Sequence, residues 1–185
     1  MSSSSEHHAT PNMTNTMATI TSQRSPCPLS VLFVCMGNIC RSPLAEGLFY
    51  ERIKALDLLH CVEIDSAGTH DYHVGRPPDT RAREAAKRHG FSIDDQRCRQ
   101  VDDDDFERFD IILAMDNQNL ALLQSMCPPA RHHKLYRMMS FAQQRPETEV
   151  PDPYFGGHEG FDHVVALLQE ATEGLYQHIQ KQIPV

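Results

Sequence analysis

The sequence predicts an α/β fold in three layers, with a central four-stranded parallel sheet between two layers of helices. Short apolar runs that suit buried strands alternate along the chain with longer segments of helical periodicity. Strands that alternate with helices are joined by right-handed crossovers, which make the strands parallel and place helices on both faces. In such sheets a ligand binds at the carboxyl ends of the strands.

The fold begins with SVLFVC at residues 30–35, which is short, apolar and rich in β-branched residues, as expected of a strand buried on both faces. From Ser42 onward the apolar residues follow helical spacing, which predicts the first helix. The segment CVEIDSAG at residues 61–68 predicts the second strand. Residues 78–89 predict a second helix, closed by Gly90.

The second half of the chain repeats this alternation. A third strand is predicted for FDIILAMD at residues 109–116, and a helix for residues 117–126, which stop before two prolines. HKLYRM at residues 133–138 suits a fourth strand, and residues 159–182 have the amphipathic pattern of a long terminal helix. Cys35 therefore lies at the carboxyl end of a strand, where a ligand is expected.

The N-terminal segment differs from the rest of the chain. Residues 1–28 are polar, rich in serine and threonine, and almost without large apolar side chains. Such a segment cannot bury enough surface to offset its ordering entropy. We therefore expect a disordered extension at 1–28 and one folded domain at 29–185.

The composition of the chain limits the classes of function that it can have. Asp and Glu number 25 against 17 Lys and Arg, a formal net charge of −8, which argues against a nucleic-acid binder because such a protein needs a basic face. The six cysteines form no CxxC pair, so neither a disulfide framework nor a metal site is predicted. No long apolar run and no secretory pattern occur. We expect a cytoplasmic protein that binds neither nucleic acid nor membrane.

The stretch VCMGNICRSP at residues 34–43 predicts the functional site. Cys35 comes where a strand gives way to a loop that runs into a helix, and a helix N-terminus and a nearby arginine both stabilise a thiolate. Arg41 can donate two parallel hydrogen bonds to a phosphate-like oxyanion, and Ser42 can donate to the sulfur and cap the helix. A buried structural cysteine is the alternative, and this context argues against it.

The backbone of the same loop suits an anion. Gly37 permits conformations that other residues avoid, Asn38 tolerates left-handed geometry, and successive amides turned inward form an anion nest. These features describe a cradle for a tetrahedral anion with a nucleophile at its base. The predicted phosphate-binding residues are Met36, Gly37, Asn38, Ile39, Cys40, Arg41 and Ser42.

This ten-residue stretch, followed by LAEG, resembles the phosphate-binding loop of the low-molecular-weight protein tyrosine phosphatase family. The resemblance covers roughly residues 29 to 182. It implies a flavodoxin- or Rossmann-like fold with strand order 2-1-3-4 and a phosphatase domain at 29–185. It also implies hydrolysis of phosphotyrosine and small aryl phosphate monoesters without metal or cofactor, in which Cys35 attacks the phosphorus and Arg41 holds its oxygens.

Such a reaction also needs an acid, and the resemblance implies one in PDPYFGG at residues 151–157. Two prolines flank Asp152 and keep its backbone out of helix and sheet, a pattern that by itself also fits a rigid turn. With the cysteine loop present, Asp152 is predicted to protonate the leaving oxygen and then to activate water.

The resemblance also implies an aromatic rim. Tyr72, Tyr154 and Phe155 would form a deep slot in which a phenyl ring lies between aromatic faces. Such a slot lets an aryl phosphate reach the thiolate, whereas phosphoserine would fall short. For Tyr72 an ordinary surface aromatic is the alternative.

Two further roles are implied by the resemblance. Ser66 would steady the loop through Asn38. Cys40 would form a reversible disulfide with Cys35 on oxidation and so protect the nucleophile, although inert packing of Cys40 also fits.

Other functions remain as alternatives. Protein arginine phosphatases of the same fold resemble one another in having threonine at the position of Ile39, so isoleucine favours phosphotyrosine over phosphoarginine. A thioredoxin-coupled arsenate reductase needs a pair of further cysteines between the second and third strands, where this chain has only Cys98. A binding module that captures phosphoproteins would be expected to lack the nucleophile or the acid.

The expected partners are tyrosine-phosphorylated proteins, with a bacterial tyrosine kinase of polysaccharide export as one candidate. The chain is expected to be a monomer or a weak homodimer. The acidic stretch VDDDDFE at residues 101–107 could dock a basic partner, but a solvated charged loop is the preferred interpretation.

Overall fold

The computed structural model describes residues 29–183. The predicted extension at 1–28 and the last two residues of the predicted domain lie outside the described residues. The sheet contains four parallel strands in the order β2-β1-β3-β4, which confirms the predicted order. The strands are β1 Leu29–Cys35, β2 Val62–Gly68, β3 Ile111–Ala114 and β4 Leu135–Arg137.

Helices connect the strands as predicted. The α-helices are α1 Arg41–Ala55, α2 Thr80–Arg88, α3 Asp105–Arg108, α4 Asn117–Met126 and α5 His158–Ile179. Two short 3₁₀ helices, Pro129–Lys134 and Met138–Phe141, flank β4. No helix within residues 29–183 is both long and apolar enough to cross a membrane.

Several predicted boundaries were wrong, and the terminal helix α5 ends at Ile179 rather than at residue 182. The third strand has four residues because Phe109 caps α3 and Asp116 caps α4. The fourth strand has three residues because 3₁₀ turns replace its predicted ends. Helix α2 begins at Thr80 rather than at residue 78, because the Asp79 side chain accepts a hydrogen bond from the Arg81 amide and caps the helix there.

The acidic stretch at 101–107 is not simply a solvated loop. Within it lies α3, in which Asp105 and Phe106 are buried. Both carboxylate oxygens of Asp105 accept hydrogen bonds from the Arg99 guanidinium, at 2.9 and 3.0 Å. This pairing satisfies the buried charge, which the local sequence did not predict.

The two faces of β1 enter two hydrophobic cores, because successive side chains of a strand point to opposite faces. Val31 and Phe33 pack in a core that includes buried residues of α1, α2 and α5. Leu32 and Val34 pack in a second core with residues of α3 and α4. These cores confirm the predicted three-layer architecture.

The site lies at the carboxyl end of β1, which is a central strand of the sheet. The chain runs from β1 to β2 on one side and later to β3 on the other, so the carboxyl end of β1 is a switch point of the sheet. Cys35 ends β1 and pairs in register with Gly68 at the end of β2. The amide of Met115, just after β3, donates to the Val34 carbonyl. Three strand ends therefore meet at this point.

Candidate active site

Residues 36–40, between Cys35 and α1, form a loop with the shape of a cradle for an anion, and we call it the anion loop. Asn38 adopts a left-handed conformation with φ of 56°, which asparagine tolerates better than most residues. Cys40 occupies the N-cap of α1 without making a side-chain cap. The amides of the first turn of α1 are therefore available for an anion.

The loop leaves no room for a side chain at the end of β2. A Cβ atom on Gly68 would lie 2.7 Å from the Met36 carbonyl oxygen and 3.1 Å from the Asn38 amide nitrogen. These contacts are with backbone atoms, which cannot move without moving the loop. Glycine at this position therefore lets the anion loop pack directly on β2.

Cys35 lies at the base of the loop with only 3% of its surface exposed. Its Sγ is 3.1 Å from the Ser42 hydroxyl oxygen, and that oxygen accepts a hydrogen bond of 2.9 Å from the Asn38 amide nitrogen Nδ2. With an N–H already donated to its oxygen, the Ser42 hydroxyl can direct its own proton to the sulfur, an arrangement that suits a thiolate.

Asn38 joins this loop to β2. Its Nδ2 also donates to the Ser66 hydroxyl at 2.9 Å, and its Oδ1 accepts from the Arg99 amide at 2.9 Å. The Ser66 hydroxyl donates in turn to the carboxylate of Glu46 on α1. Burial raises the pKa of Glu46 to about 7, while the hydrogen bond from Ser66 opposes that rise.

Two hydrogen-bond acceptors hold the guanidinium of Arg41 at Nη1. Only 2% of its side chain is exposed. Its Nη1 donates to Asp116 at 2.6 Å and to the Val150 carbonyl at 3.0 Å. Although burial opposes its charge, the neighbouring Cys35 and Asp116 raise the pKa of Arg41 above its ordinary value, so the guanidinium stays charged.

Asp152 approaches Arg41 from the loop that precedes α5. Its side chain is 40% exposed, and its Oδ2 lies 3.5 Å from Nη2 of Arg41. Its Oδ1 accepts a hydrogen bond of 3.1 Å from the Tyr154 amide, as in an Asx turn. The carboxylate is thus oriented by its own loop and remains accessible.

One cavity of about 320 Å³ gathers most of the predicted site residues. Its predicted lining residues are Cys35, Met36, Gly37, Ile39, Cys40, Arg41, Tyr72, Asp152, Tyr154 and Phe155. Asn38, Ser42 and Ser66 do not line it. Their side chains are joined to one another by the two hydrogen bonds that Asn38 Nδ2 donates. His73 also lines the cavity, and no role was predicted for it.

The rim is aromatic and open. Tyr72 is 64% exposed and Phe155 is 95% exposed. The Tyr72 ring stacks on His70 at 5.0 Å between centroids, and Tyr154 meets Phe155 edge to face at 5.0 Å. Such exposure is costly unless the rings bind something, which is typical of a ligand site.

The cysteines of the described range are free thiols. Burial, with Asp79 and Cys35 nearby, raises the pKa of the Cys40 thiol well above its usual value. Burial also raises the pKa of Cys98 to about 11, and its S–H donates to the Asn38 carbonyl at 2.8 Å. Among residues 29–183 no cluster of His, Cys, Asp or Glu is arranged to hold a metal ion.

Comparisons with known proteins relate the chain to one family. The family model described as low molecular weight phosphotyrosine protein phosphatase matches residues 30–185. The low molecular weight protein-tyrosine-phosphatase YfkJ of Bacillus subtilis is 38% identical over 154 residues, which are 83% of this chain and 97% of that protein.

Solved structures are also similar. A crystal structure of a protein tyrosine phosphatase from Entamoeba histolytica, with Hepes in the active site, has a TM-score of 0.81 and 41% identity and covers 83% of this chain and 98% of its own. The Drosophila arginine phosphatase DARP has a TM-score of 0.75 and 34% identity, and the match covers 81% of this chain and 97% of its own.

Proposed function

The chain belongs to the low molecular weight phosphotyrosine protein phosphatase family, and from this premise we propose that it hydrolyses phosphotyrosine and small aryl phosphate monoesters through a phosphocysteine intermediate, without a metal. The membership itself establishes a phosphatase that acts on phosphoproteins. One observation carries the proposed mechanism: Cys35, Arg41 and Asp152 line a single cavity, with the sulfur beneath a loop of backbone amides.

In the first step the Cys35 thiolate attacks phosphorus. The sulfur–phosphorus bond forms as the bond from phosphorus to the aryl oxygen breaks, and Asp152 gives its proton to that oxygen. The Ser42 hydroxyl, 3.1 Å from the sulfur, and the N-terminus of α1 stabilise the thiolate before attack. The leaving group departs as a neutral phenol.

Arg41 and the loop amides bind the three non-bridging oxygens. Asp116 and the Val150 carbonyl hold Nη1 of Arg41, while Nη2, which lies 3.5 Å from Oδ2 of Asp152, faces the phosphoryl group. Donors that are already in place cost little reorganisation when charge develops on these oxygens. This fixed positive charge replaces a metal ion.

In the second step water attacks the phosphocysteine. Asp152, now a carboxylate, takes a proton from the water as the new phosphorus–oxygen bond forms. The sulfur–phosphorus bond breaks, and the pair of electrons returns to sulfur as the thiolate. Inorganic phosphate leaves, and the enzyme is restored.

The rim supports an aryl substrate. Tyr72, Tyr154 and Phe155 surround the mouth of the cavity, where ring stacking adds about 0.5–1.5 kcal/mol beyond burial. Ile39 lines the same cavity and offers no hydrogen-bonding side chain to a guanidinium. The likeness to an arginine phosphatase makes phosphoarginine the second candidate substrate, which this isoleucine disfavours.

The remaining roles are part of the same proposal. Ser66 steadies the loop through its hydrogen bond with Asn38. Cys40, which lines the same cavity as Cys35, forms a reversible disulfide with Cys35 on oxidation. The phosphatase domain at 29–185 acts in the cytoplasm as a monomer or weak homodimer. Its substrates include a bacterial tyrosine kinase of polysaccharide export.

Phosphate release from three matched peptides tests this function. The peptides carry phosphotyrosine, phosphoserine or phosphoarginine, and the assay contains EDTA. We expect turnover of phosphotyrosine alone, abolished by Cys35→Ser and slowed by Asp152→Ala. Turnover of phosphoarginine instead would overturn the interpretation of Ile39, and no release from any peptide by folded, reduced protein would overturn the proposed reaction.

A further inference from the structure

We propose that Arg81, on the first turn of α2, is a positioning residue that holds Asp152 over the cavity by tying the acid loop to the anion loop. Here the acid loop is residues 151–157. The inference rests on the proposed role of Asp152 as the acid. Four links, each a contact between named residues, connect the two loops.

Arg81 holds the acid loop by its backbone. Nη1 donates to the Tyr154 carbonyl at 2.8 Å and to the Gly156 carbonyl at 3.4 Å. Within the described part of the chain, these are the only hydrogen bonds that join the backbone of residues 151–156 to another element. Without Arg81 the backbone of the loop would keep only its internal hydrogen bonds and its chain connections, and outside the loop Asp152 would keep only its 3.5 Å contact with Nη2 of Arg41.

The other edge of the guanidinium is held by Asp79. Nε and Nη2 of Arg81 donate to the two carboxylate oxygens of Asp79, at 3.1 and 3.0 Å. This is a fork-to-fork pairing, which fixes the plane of the guanidinium as well as its position. The bonds from Arg81 lower the pKa of Asp79 even though burial opposes the effect.

Asp79 in turn contacts the anion loop. Its amide donates to the Ile39 carbonyl at 2.8 Å. The chain of contacts therefore runs from Ile39 through Asp79 and Arg81 to Tyr154. The Tyr154 amide completes the connection by donating to Oδ1 of Asp152 at 3.1 Å.

Aromatic rings fix Arg81 from the sides. Its guanidinium carbon lies 5.3 Å from the centre of the Tyr154 ring and 4.9 Å from that of Phe161. Phe161 is fully buried in α5, so it offers a rigid surface. A lysine could neither stack in this way nor donate along two edges at once.

The test depends on the leaving group. Phenolate needs the proton from the acid, whereas p-nitrophenolate leaves readily without it, so an acid that is out of position harms phenyl phosphate selectively. We would measure kcat/KM for both substrates, because this ratio reports the step in which the leaving group departs. Asp152→Asn in the same assay gives the pattern expected for complete loss of the acid.

We expect Arg81→Ala to lower kcat/KM for phenyl phosphate about tenfold more than for p-nitrophenyl phosphate, a fraction of the full effect of an acid. Arg81→Lys should restore little of the loss. The matched control is Arg83→Ala, which removes a similarly exposed arginine of α2 that pairs with Asp94 at 2.7 Å. This control should leave both substrates within about twofold of the unmodified protein, since it does not touch the acid loop.

Three results would decide against the proposal. Equal losses on both substrates, or no loss, with Asp152→Asn still selective, would show that Arg81 does not position the acid. Full activity of Arg81→Lys would show that hydrogen bonds from two edges of a guanidinium are not needed, which contradicts the proposed role of Arg81. If Asp152→Asn is itself unselective, the proposed acid is wrong and the role of Arg81 falls with it. Thermal unfolding of each variant confirms that it is folded.

Discussion

Glu46 should make the stability of the protein depend on pH near neutrality. The half-buried carboxyl accepts a hydrogen bond from Ser66, and its pKa is raised from 4.5 to about 7, chiefly by burial. A raised carboxyl pKa means that the folded state favours the protonated form. Its contribution to stability is therefore complete below pH 4.5 and is lost as the pH rises through about 7.

The size of the effect follows from the shift. A rise from 4.5 to about 7, at about 1.4 kcal/mol per unit, corresponds to roughly 3 kcal/mol of stability lost across that interval. Asp65 adds to the rise and Arg99 opposes it. Glu46→Gln keeps an acceptor for Ser66 but cannot ionise, so the variant should lack this part of the pH dependence.

Urea unfolding at intervals from about pH 5 to 8 tests the prediction. The free energy of unfolding of Glu46→Gln, relative to the unmodified protein, should rise by roughly 2–3 kcal/mol over that range. Glu84→Gln, at an exposed position of α2, is the control and should run parallel to the unmodified protein. A constant difference between Glu46→Gln and the unmodified protein at every pH would contradict the assignment of this pH dependence to Glu46.

Two further substitutions test the support of the site. Gly68→Ala puts a Cβ 2.7 Å from the Met36 carbonyl oxygen. By displacing the anion loop it should weaken vanadate binding about tenfold. The control is Gly160→Ala, whose Cβ would have no contact closer than 3.7 Å, and it should bind vanadate normally. Asp116→Ala leaves the buried Arg41 without its closest partner and should cost roughly 3 kcal/mol in urea unfolding. Unchanged vanadate affinity in the first case, or unchanged stability in the second, would contradict these accounts.

The sequence was most informative where the site is contiguous. The proposed nucleophile, the loop amides and Arg41 all come from ten adjacent residues, so their types and spacing predict the chemistry that we propose for them. Asp152 lies far along the chain and could be placed only through its flanking prolines and the family resemblance. The layers followed from the alternation of apolar runs with helical segments, whereas the strand order came from the family resemblance.

What the sequence could not predict depends on contacts between distant residues. The Val150 carbonyl that holds Arg41 is a backbone atom with no sequence signature. Arg81 looks like an ordinary surface residue of a helix, because its partners on the acid loop lie 73 and 75 positions away. Likewise Glu46 reaches Ser66 only because α1 packs against β2.

The most direct test of the proposed phosphocysteine mechanism is to identify the residue that carries phosphate during turnover. The protein would be mixed with a phosphotyrosine peptide, quenched in acid within the first turnover, digested and analysed by mass spectrometry. We predict one phosphoryl group on Cys35, absent when Cys35→Ser is treated in the same way. Phosphate on another residue such as His73, or turnover by Cys35→Ser, would contradict the account.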